Sequence, residues 1–354
     1  MVDTPLPKDY GLPVYSLIID EEDYGLFKKN VYSNLKINGT LIISGKEYKI
    51  KIRHQGFSSR GNFKKNYIIE YEMSDPILSC PKIILSAQAI DPSMVRSFVT
   101  SEIFKHTDLY IFDIHPVVFY INGNYEGLYF LIEPVNLYFF LRRNVKVDEL
   151  YKAFNGNAFF SYELLKDVKY GYEKEYPEDE NFRSLEKLIS ITSSNTEDFP
   201  GHLEKVFDVE KFLQYWVVTI LTYNWDGVIH NFYLLKNGST GKYEVVPWDL
   251  DRTFVQEGSL TAFPGGNYLI QKLMNYEKYR TMYKNYFRKI LNDSFREDVL
   301  FPKIDSLKSL IIKAYYDDRW ILSNGYDINY ETEKVKSFIK ERIIYIENQL
   351  RNFQ

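Results

Sequence analysis

The chain has 354 residues, 45% hydrophobic and 26% charged, with a formal net charge of −4. This composition expects a large buried core and gives little support to a nucleic-acid partner. The single cysteine, Cys80, excludes an internal disulfide framework and a cysteine-ligated zinc site, and no apolar run reaches the roughly 18 residues of a membrane span.

The N-terminal Met1-Val2-Asp3-Thr4-Pro5 lacks the basic and apolar regions of a secretory signal, so a soluble protein made in a reducing cytoplasm is expected. Val14 to Ile19 reads as a strand. Asn34–Ile43 and Glu47–Arg53 flank Ser44-Gly45 as a hairpin, with Tyr48, Ile50 and Ile52 facing inward and Lys49, Lys51 and Arg53 outward. Gly56–Asn62 is expected to be a flexible loop, followed by a strand from Lys64 to Tyr71 and a short one from Lys82 to Ser86. Asp91-Pro92-Ser93 predicts a helix start. Asn122-Gly123-Asn124 predicts the turn of a hairpin between Pro116–Ile121 and Leu128–Ile132, and Val135–Arg143 a helix. The acidic stretch from Tyr172 to Ser194 reads as an insertion or lobe boundary, with helical spacing from Phe182 to Ile191. A long apolar helix runs from Asp208 to Tyr223, then strands near Phe232–Leu235 and Tyr243–Val246. The remainder is helical, over 276–291, 301–314 and 330–350. The expected fold class is α+β, with a β-rich lobe over 1–133, a helix-rich lobe over 134–354, and ligand binding in the cleft between them.

Asp226, Asn231, Asp249 and Asp251 lie on either side of the hairpin expected from the strands near Phe232–Leu235 and Tyr243–Val246. A hairpin brings its ends together, so these four side chains are expected at one sheet edge. Magnesium takes one or two carboxylates and completes its shell with water and substrate phosphates. A further carboxylate then remains to orient a hydroxyl for attack. Asp226 and Asn231 are five positions apart, the separation of the base and the metal-binding Asn in the catalytic loop of protein kinases, where a second metal-binding Asp follows a strand pair. Phosphoryl transfer also needs a phosphate cradle. Gly56, Ser58, Ser59, Arg60 and Gly61, with Lys64 and Lys65, offer close backbone approach, hydroxyls and cations; the competing reading is a solvated basic hairpin. Lys65 alternates with Tyr67 and Ile69 and is expected to face inward, with Glu102 or Glu133 as its acidic partner. Arg96 could contact phosphate or lie on the surface. His54, His115 and His230 have no metal-ligand spacing.

The ordered segments Gly56-Phe57-Ser58-Ser59-Arg60, Phe63-Lys64-Lys65-Asn66-Tyr67, Asp91-Pro92-Ser93-Met94-Val95-Arg96, Asn122-Gly123-Asn124-Tyr125-Glu126-Gly127-Leu128-Tyr129, Glu133, Asn224-Trp225-Asp226-Gly227-Val228-Ile229-His230-Asn231 and Val246-Pro247-Trp248-Asp249-Leu250-Asp251 resemble the CotH family of atypical, spore-coat protein kinases, from about Val14 to Phe254. The resemblance implies a remote protein-kinase-like two-lobed fold, ATP with Mg2+ (or Mn2+), and phosphorylation of Ser-rich coat proteins, with synthesis in the mother cell and deposition in the spore coat. It implies Asp226 as the catalytic-loop aspartate, Asp249 as the metal-holding aspartate, Asn231 as a further metal ligand, and the basic residue of the Lys64-Lys65 pair, with Lys65 favoured, as the phosphate lysine; beside these, Asp251 is expected at the metal, Lys65 also in catalysis, and Lys64, Arg60, Ser59 and Glu133 on the nucleotide side. Gln55 stands where family members often carry Arg, and Leu250-Asp251 replaces the usual kinase Phe-Gly. The rival readings are a nucleotidyl or other group transferase on the same fold, and a coat scaffold with a degenerate site.

Overall fold

In the first third of the chain, alternating residues close a barrel. The computed structural model describes residues 8–72, 77, 80–255 and 267–352. Strands β1 (Val14–Ile18), β2 (Ile37–Ile43), β3 (Lys46–Gln55), β4 (Asn66–Tyr71), β5 (Lys82–Ser86), β6 (Ile114–Ile121) and β7 (Asn124–Ile132) pair in the order β1-β2-β3-β4-β5-β7-β6. A parallel β1–β6 pairing closes the ring. Two tight turns set the register. Ser44 and Gly45, and Asn122 and Gly123, all hold positive φ, the conformation that two-residue hairpin loops require. Leu17, Leu41, Ile52, Ile69, Ile83, Leu85 and Phe119 fill the interior and are fully buried, while Lys49 and Lys51 point outward. Helix α1 (Glu21–Lys29), capped by Asp20, inserts Phe27 into this core.

The chain forms two compact units, 1–95 with 112–134 and 303–333, and 96–111 with 135–302 and 334–354. The β-rich first part and helical second part are as expected, but residues 96–111 belong to the second unit and 303–333 to the first, unlike a division at 133/134. The second unit contains α2 (Arg96–Phe104), α3 (Leu137–Leu141), β8 (Val147–Ala153), α4 (Tyr162–Leu165), β9 (Tyr172–Tyr176), α5 (Arg183–Ser193), α6 (Phe199–Val206), α7 (Val209–Thr222), β10 (Phe232–Asn237), β11 (Tyr243–Pro247), α8 (Tyr268–Leu273) and α9 (Glu277–Asp293). Then come α10 (Glu297–Asp317), α11 (Arg319–Asn324) and α12 (Ile328–Asn352), with α10 and α12 each crossing a unit boundary. An antiparallel sheet, β11-β10-β8-β9, carries the β10–β11 hairpin at one side.

Four local expectations change. The helix expected at Asp91 begins at Arg96: Asp91 caps a turn by accepting from Ser93 N at 3.0 Å, and Met94 at φ +57° cannot continue a helix. The helix expected over 135–143 is the single turn and a half of α3. The 56–62 loop contains a 3₁₀ turn at Ser58–Gly61. The acidic stretch from Tyr172 opens with β9, a strand that pairs with β8 in the second sheet.

Candidate functional site

Helix α7 delivers the central loop. Tyr223 ends it in the left-handed conformation, φ 55°, and Asn224 N returns to Thr219 O at 2.9 Å. The next residues are pinned one after another. Gly227 N donates to Asn224 O at 3.1 Å and to its Oδ1 at 3.2 Å, and the Tyr215 hydroxyl donates to Gly227 O at 2.7 Å. Asn267 Nδ2 donates to Val228 O at 2.9 Å, and Ala158 N donates to Ile229 O at 2.8 Å. Asp226 thus projects from a 3₁₀ turn whose backbone is fixed by a buried helix and two neighbouring segments.

Hairpin β10–β11 carries out the juxtaposition expected of it. Phe232 pairs with Pro247, and Trp248 N donates to Asn231 O at 3.1 Å, so the ladder runs on into both loops. Asn231 Nδ2 then donates to Asp249 O at 3.4 Å, which leaves its Oδ1 to accept from another group or a cation. Asn231 and Asp249 both hold positive φ, 59° and 54°, as does Phe254 at 58°. Left-handed non-glycine residues concentrate where a site over-determines the backbone.

Both oxygens of Asp226 face basic side chains: His230 Nε2 lies 3.7 Å from Oδ1 and Arg252 Nη1 3.7 Å from Oδ2. Burial pushes this carboxyl up, but the hydrogen bond and charge of His230 and the charge of Arg252 outweigh it, and the group sits below the ordinary Asp range. Asp249 moves the opposite way. Surrounding protein pushes its carboxyl up, Lys152 and His230 pull it down, and the nearby Asp226 adds to the rise. The residue as a whole is nevertheless exposed to solvent. Asp251 lies half-buried in the turn after β11, and the Thr253 hydroxyl closes that turn on Leu250 O at 3.0 Å. Sequence reasoning had no signal for Lys152, whose strand β8 it missed, or for Arg252 and Asn267.

The cations expected on the nucleotide side are engaged inside the first unit. Lys64, only 5% exposed, pairs with Asp318 Oδ2 at 2.6 Å, donates to Leu128 O and lies over the Tyr129 ring. Asp318 also accepts from Leu128 N and, as the cap of α11, from Trp320 N, each at 2.9 Å. Lys65 donates to Arg60 O at 2.8 Å and to Asn62 O. Arg60 donates to Tyr32 O at 2.8 Å, Ser33 O at 3.0 Å and Asn34 Oδ1 at 2.8 Å. Ser59 O accepts from Asn62 N within the same turn. Two expectations are corrected here, and the open alternatives for Arg96 narrow to one. The inward lysine is Lys64 and not Lys65, because β4 starts at Asn66 and strand alternation does not reach back to Lys65. Its acidic partner is Asp318, not Glu102 or Glu133. Glu102 pairs with Lys105 at 2.5 Å, and buried Glu133 accepts from Asp113 N at 3.3 Å. Arg96 is buried, not on the surface.

Among the described residues no three carboxylate, imidazole or thiol groups converge as a metal cage. The donor chemistry still suits magnesium, which keeps several waters and needs one or two carboxylates. Asp249, an exposed residue, offers a carboxylate and Asn231 an amide oxygen on the adjoining loop.

The family profile described as "CotH kinase protein" matches residues 52–346. The chain is 25% identical to "Inner spore coat protein H" of Bacillus subtilis (strain 168), over 96% of its own length and 98% of the relative's. It is 22% identical to "Invasin CotH3" of Rhizopus delemar, over 85% of its own length and 57% of that protein's. A chain of the HipA–HipB–operator DNA complex of Shewanella oneidensis MR-1 covers 100% of this chain and 76% of its own, with 11% identity and a TM-score of 0.43.

Proposed function

This chain belongs to the CotH kinase protein family of atypical kinases, and from that premise we propose that it is an ATP-dependent protein serine/threonine kinase acting on Ser-rich coat proteins, itself located in the spore coat. The name of the Bacillus relative supports the location. One observation carries the chemistry: β10–β11 brings Asn231 and Asp249 together, and Asp226 lies within electrostatic reach of both Asp249 and Arg252.

Asp249, with Asn231 and Asp251 from the adjoining loops, would hold magnesium, which supplies charge neutralisation of the nucleotide phosphates when bound. Asp226 accepts a hydrogen bond from the acceptor hydroxyl and aligns it. Because His230 and Arg252 hold its carboxyl ionised and weakly basic, Asp226 takes the proton late, as the new bond from acceptor oxygen to phosphorus acidifies the hydroxyl and the bond to the ADP oxygen breaks. Trp225, 43% exposed beside Asp226, offers an apolar face to the segment carrying that hydroxyl.

The test is incubation with labelled ATP and a Ser-rich basic peptide, wild type beside Asp226→Asn. Wild type is expected to add one phosphate per modified serine, and the variant to lose about 100-fold or more of the rate while still binding Mg-ATP. A nucleotidyl mass shift on the product would replace this reading with nucleotidyl transfer. Absence of Mg-ATP binding by wild type would favour a scaffold.

A further inference from the structure

Phosphoryl transfer spreads negative charge over the equatorial oxygens of the group in flight, and protein cations at that point lower the barrier. Lys64, Lys65 and Arg60 are engaged by acceptors inside the first unit. Within the second unit a guanidinium stands beside the aspartate that aligns the acceptor. Arg252 Nη1 lies 3.7 Å from Asp226 Oδ2, and the residue follows Asp249 by three positions on one loop. The root of that side chain is fixed. The Thr253 hydroxyl donates to Leu250 O at 3.0 Å and shares a 2.9 Å hydrogen bond with the buried Thr100 hydroxyl. Phe254 N donates to Thr222 O at 2.7 Å, in the helix that delivers Asp226. The head of the side chain is open: Arg252 is 44% exposed against 18% for Asp226, and an ion pair this open contributes little to the fold. A hydroxyl that hydrogen-bonds Asp226 sits about 2.7 Å from it, and the phosphorus it attacks lies about 3–3.5 Å beyond. A guanidinium against the same carboxylate is within side-chain reach of the oxygens on that phosphorus, and its planar fork can donate to two of them at once.

We propose that Arg252 is a catalytic residue of this site, donating hydrogen bonds to the oxygens of the phosphoryl group as it passes to the acceptor. Arg252 takes this role only where phosphate is transferred, so the assignment rests on the phosphotransfer reading and deepens it. The bond from acceptor oxygen to phosphorus forms, the bond to the ADP oxygen breaks, the hydroxyl proton goes to Asp226, and Arg252 keeps all its protons. The competing account is that Arg252 acts only through Asp226, by holding its carboxylate in place.

Calorimetric titration with Mg-ADP, with and without aluminium fluoride as a mimic of the phosphoryl group in transfer, compares wild type with Arg252→Met, each also in the Asp226→Asn background. Aluminium fluoride is expected to tighten Mg-ADP binding to wild type. Arg252→Met should leave the Mg-ADP affinity within about two-fold and remove about ten-fold or more of that tightening. The same factor should be lost in the Asp226→Asn background. In turnover, kcat of Arg252→Met should fall about 100-fold with KM for ATP unchanged, and free guanidinium should restore part of it. Tightening that Arg252→Met leaves intact overturns the assignment, as does a loss seen only while Asp226 is present, which would make Arg252 a positioning residue. Equal kcat in wild type and Arg252→Met overturns it too, with the phosphotransfer reading still standing. If wild type neither binds Mg-ATP nor transfers phosphate, that reading falls and the assignment with it.

Discussion

Two neighbouring aspartates shift in opposite directions because of what surrounds them. Asp226 is held ionised by His230 and Arg252, and Asp249 is pushed up by the protein around it. Replacing Asp249 by Asn is therefore expected to weaken Mg-ATP binding far more than replacing Asp226 does, which titration of the two variants checks. The other decisive residue pair is Lys64 with Asp318, whose side chains are 3% and 0% exposed. Asp318→Asn keeps an acceptor for Trp320 N but strands the Lys64 ammonium, and removing one partner of a buried pair costs about 3–5 kcal/mol. The denaturation midpoint should fall accordingly, and Lys64→Met added to Asp318→Asn should recover part of the loss. Gly127 belongs to the same knot. At φ +130° it would place a Cβ 2.2 Å from Asp318 Oδ2, so Gly127→Ala should destabilise the same unit.

At the scale of elements, the two hairpin turns and the long helices were legible because their signals are local: Asn-Gly or Ser-Gly at positive φ, and apolar spacing along α7, α9, α10 and α12. Strand β8 was not. Val-Asp-Glu-Leu-Tyr-Lys-Ala has no clean alternation, and it is held by pairing with β10 some eighty positions later. The helix start at Asp91 failed for a related reason: the cap chemistry is present, but Met94 turns left-handed before a helix can form. The carboxylate cluster could be placed from sequence because one hairpin joins its halves. The phosphate side could not, because the partner of Lys64 comes from α11's cap. Helix α6 offers a pH test. Glu204 accepts from Lys278 Nζ at 2.6 Å and Tyr279 OH at 2.7 Å; burial raises its pKa, but these bonds outweigh it and hold it low. A lowered folded-state pKa stabilises above the unfolded value and is lost on acidification. The urea midpoint of wild type should exceed that of Glu204→Gln near neutrality, and the gap should close from about pH 5 toward pH 3.

Across the whole molecule, the last stretch of chain supports both units. In the second, Arg342 of α12 donates from Nε and Nη2 to Ile220 O at 3.0 and 2.7 Å, satisfying a carbonyl in the final turn of the helix that leads into Asp226. Burial lowers this guanidinium to about 10. Arg342→Ala should cost about 1.5–3 kcal/mol and lower kcat with little change in KM for ATP, which denaturation and steady-state kinetics check together. In the first unit, the Lys64–Asp318 bond joins residues 254 positions apart, and this has a consequence for synthesis. At about 5–20 residues per second, Asp318 leaves the ribosome roughly ten to forty seconds after the last barrel strand. Through that interval the Lys64 ammonium and the Leu128 amide have no Asp318 to receive them, and the nascent barrel waits with one polar wall unfinished.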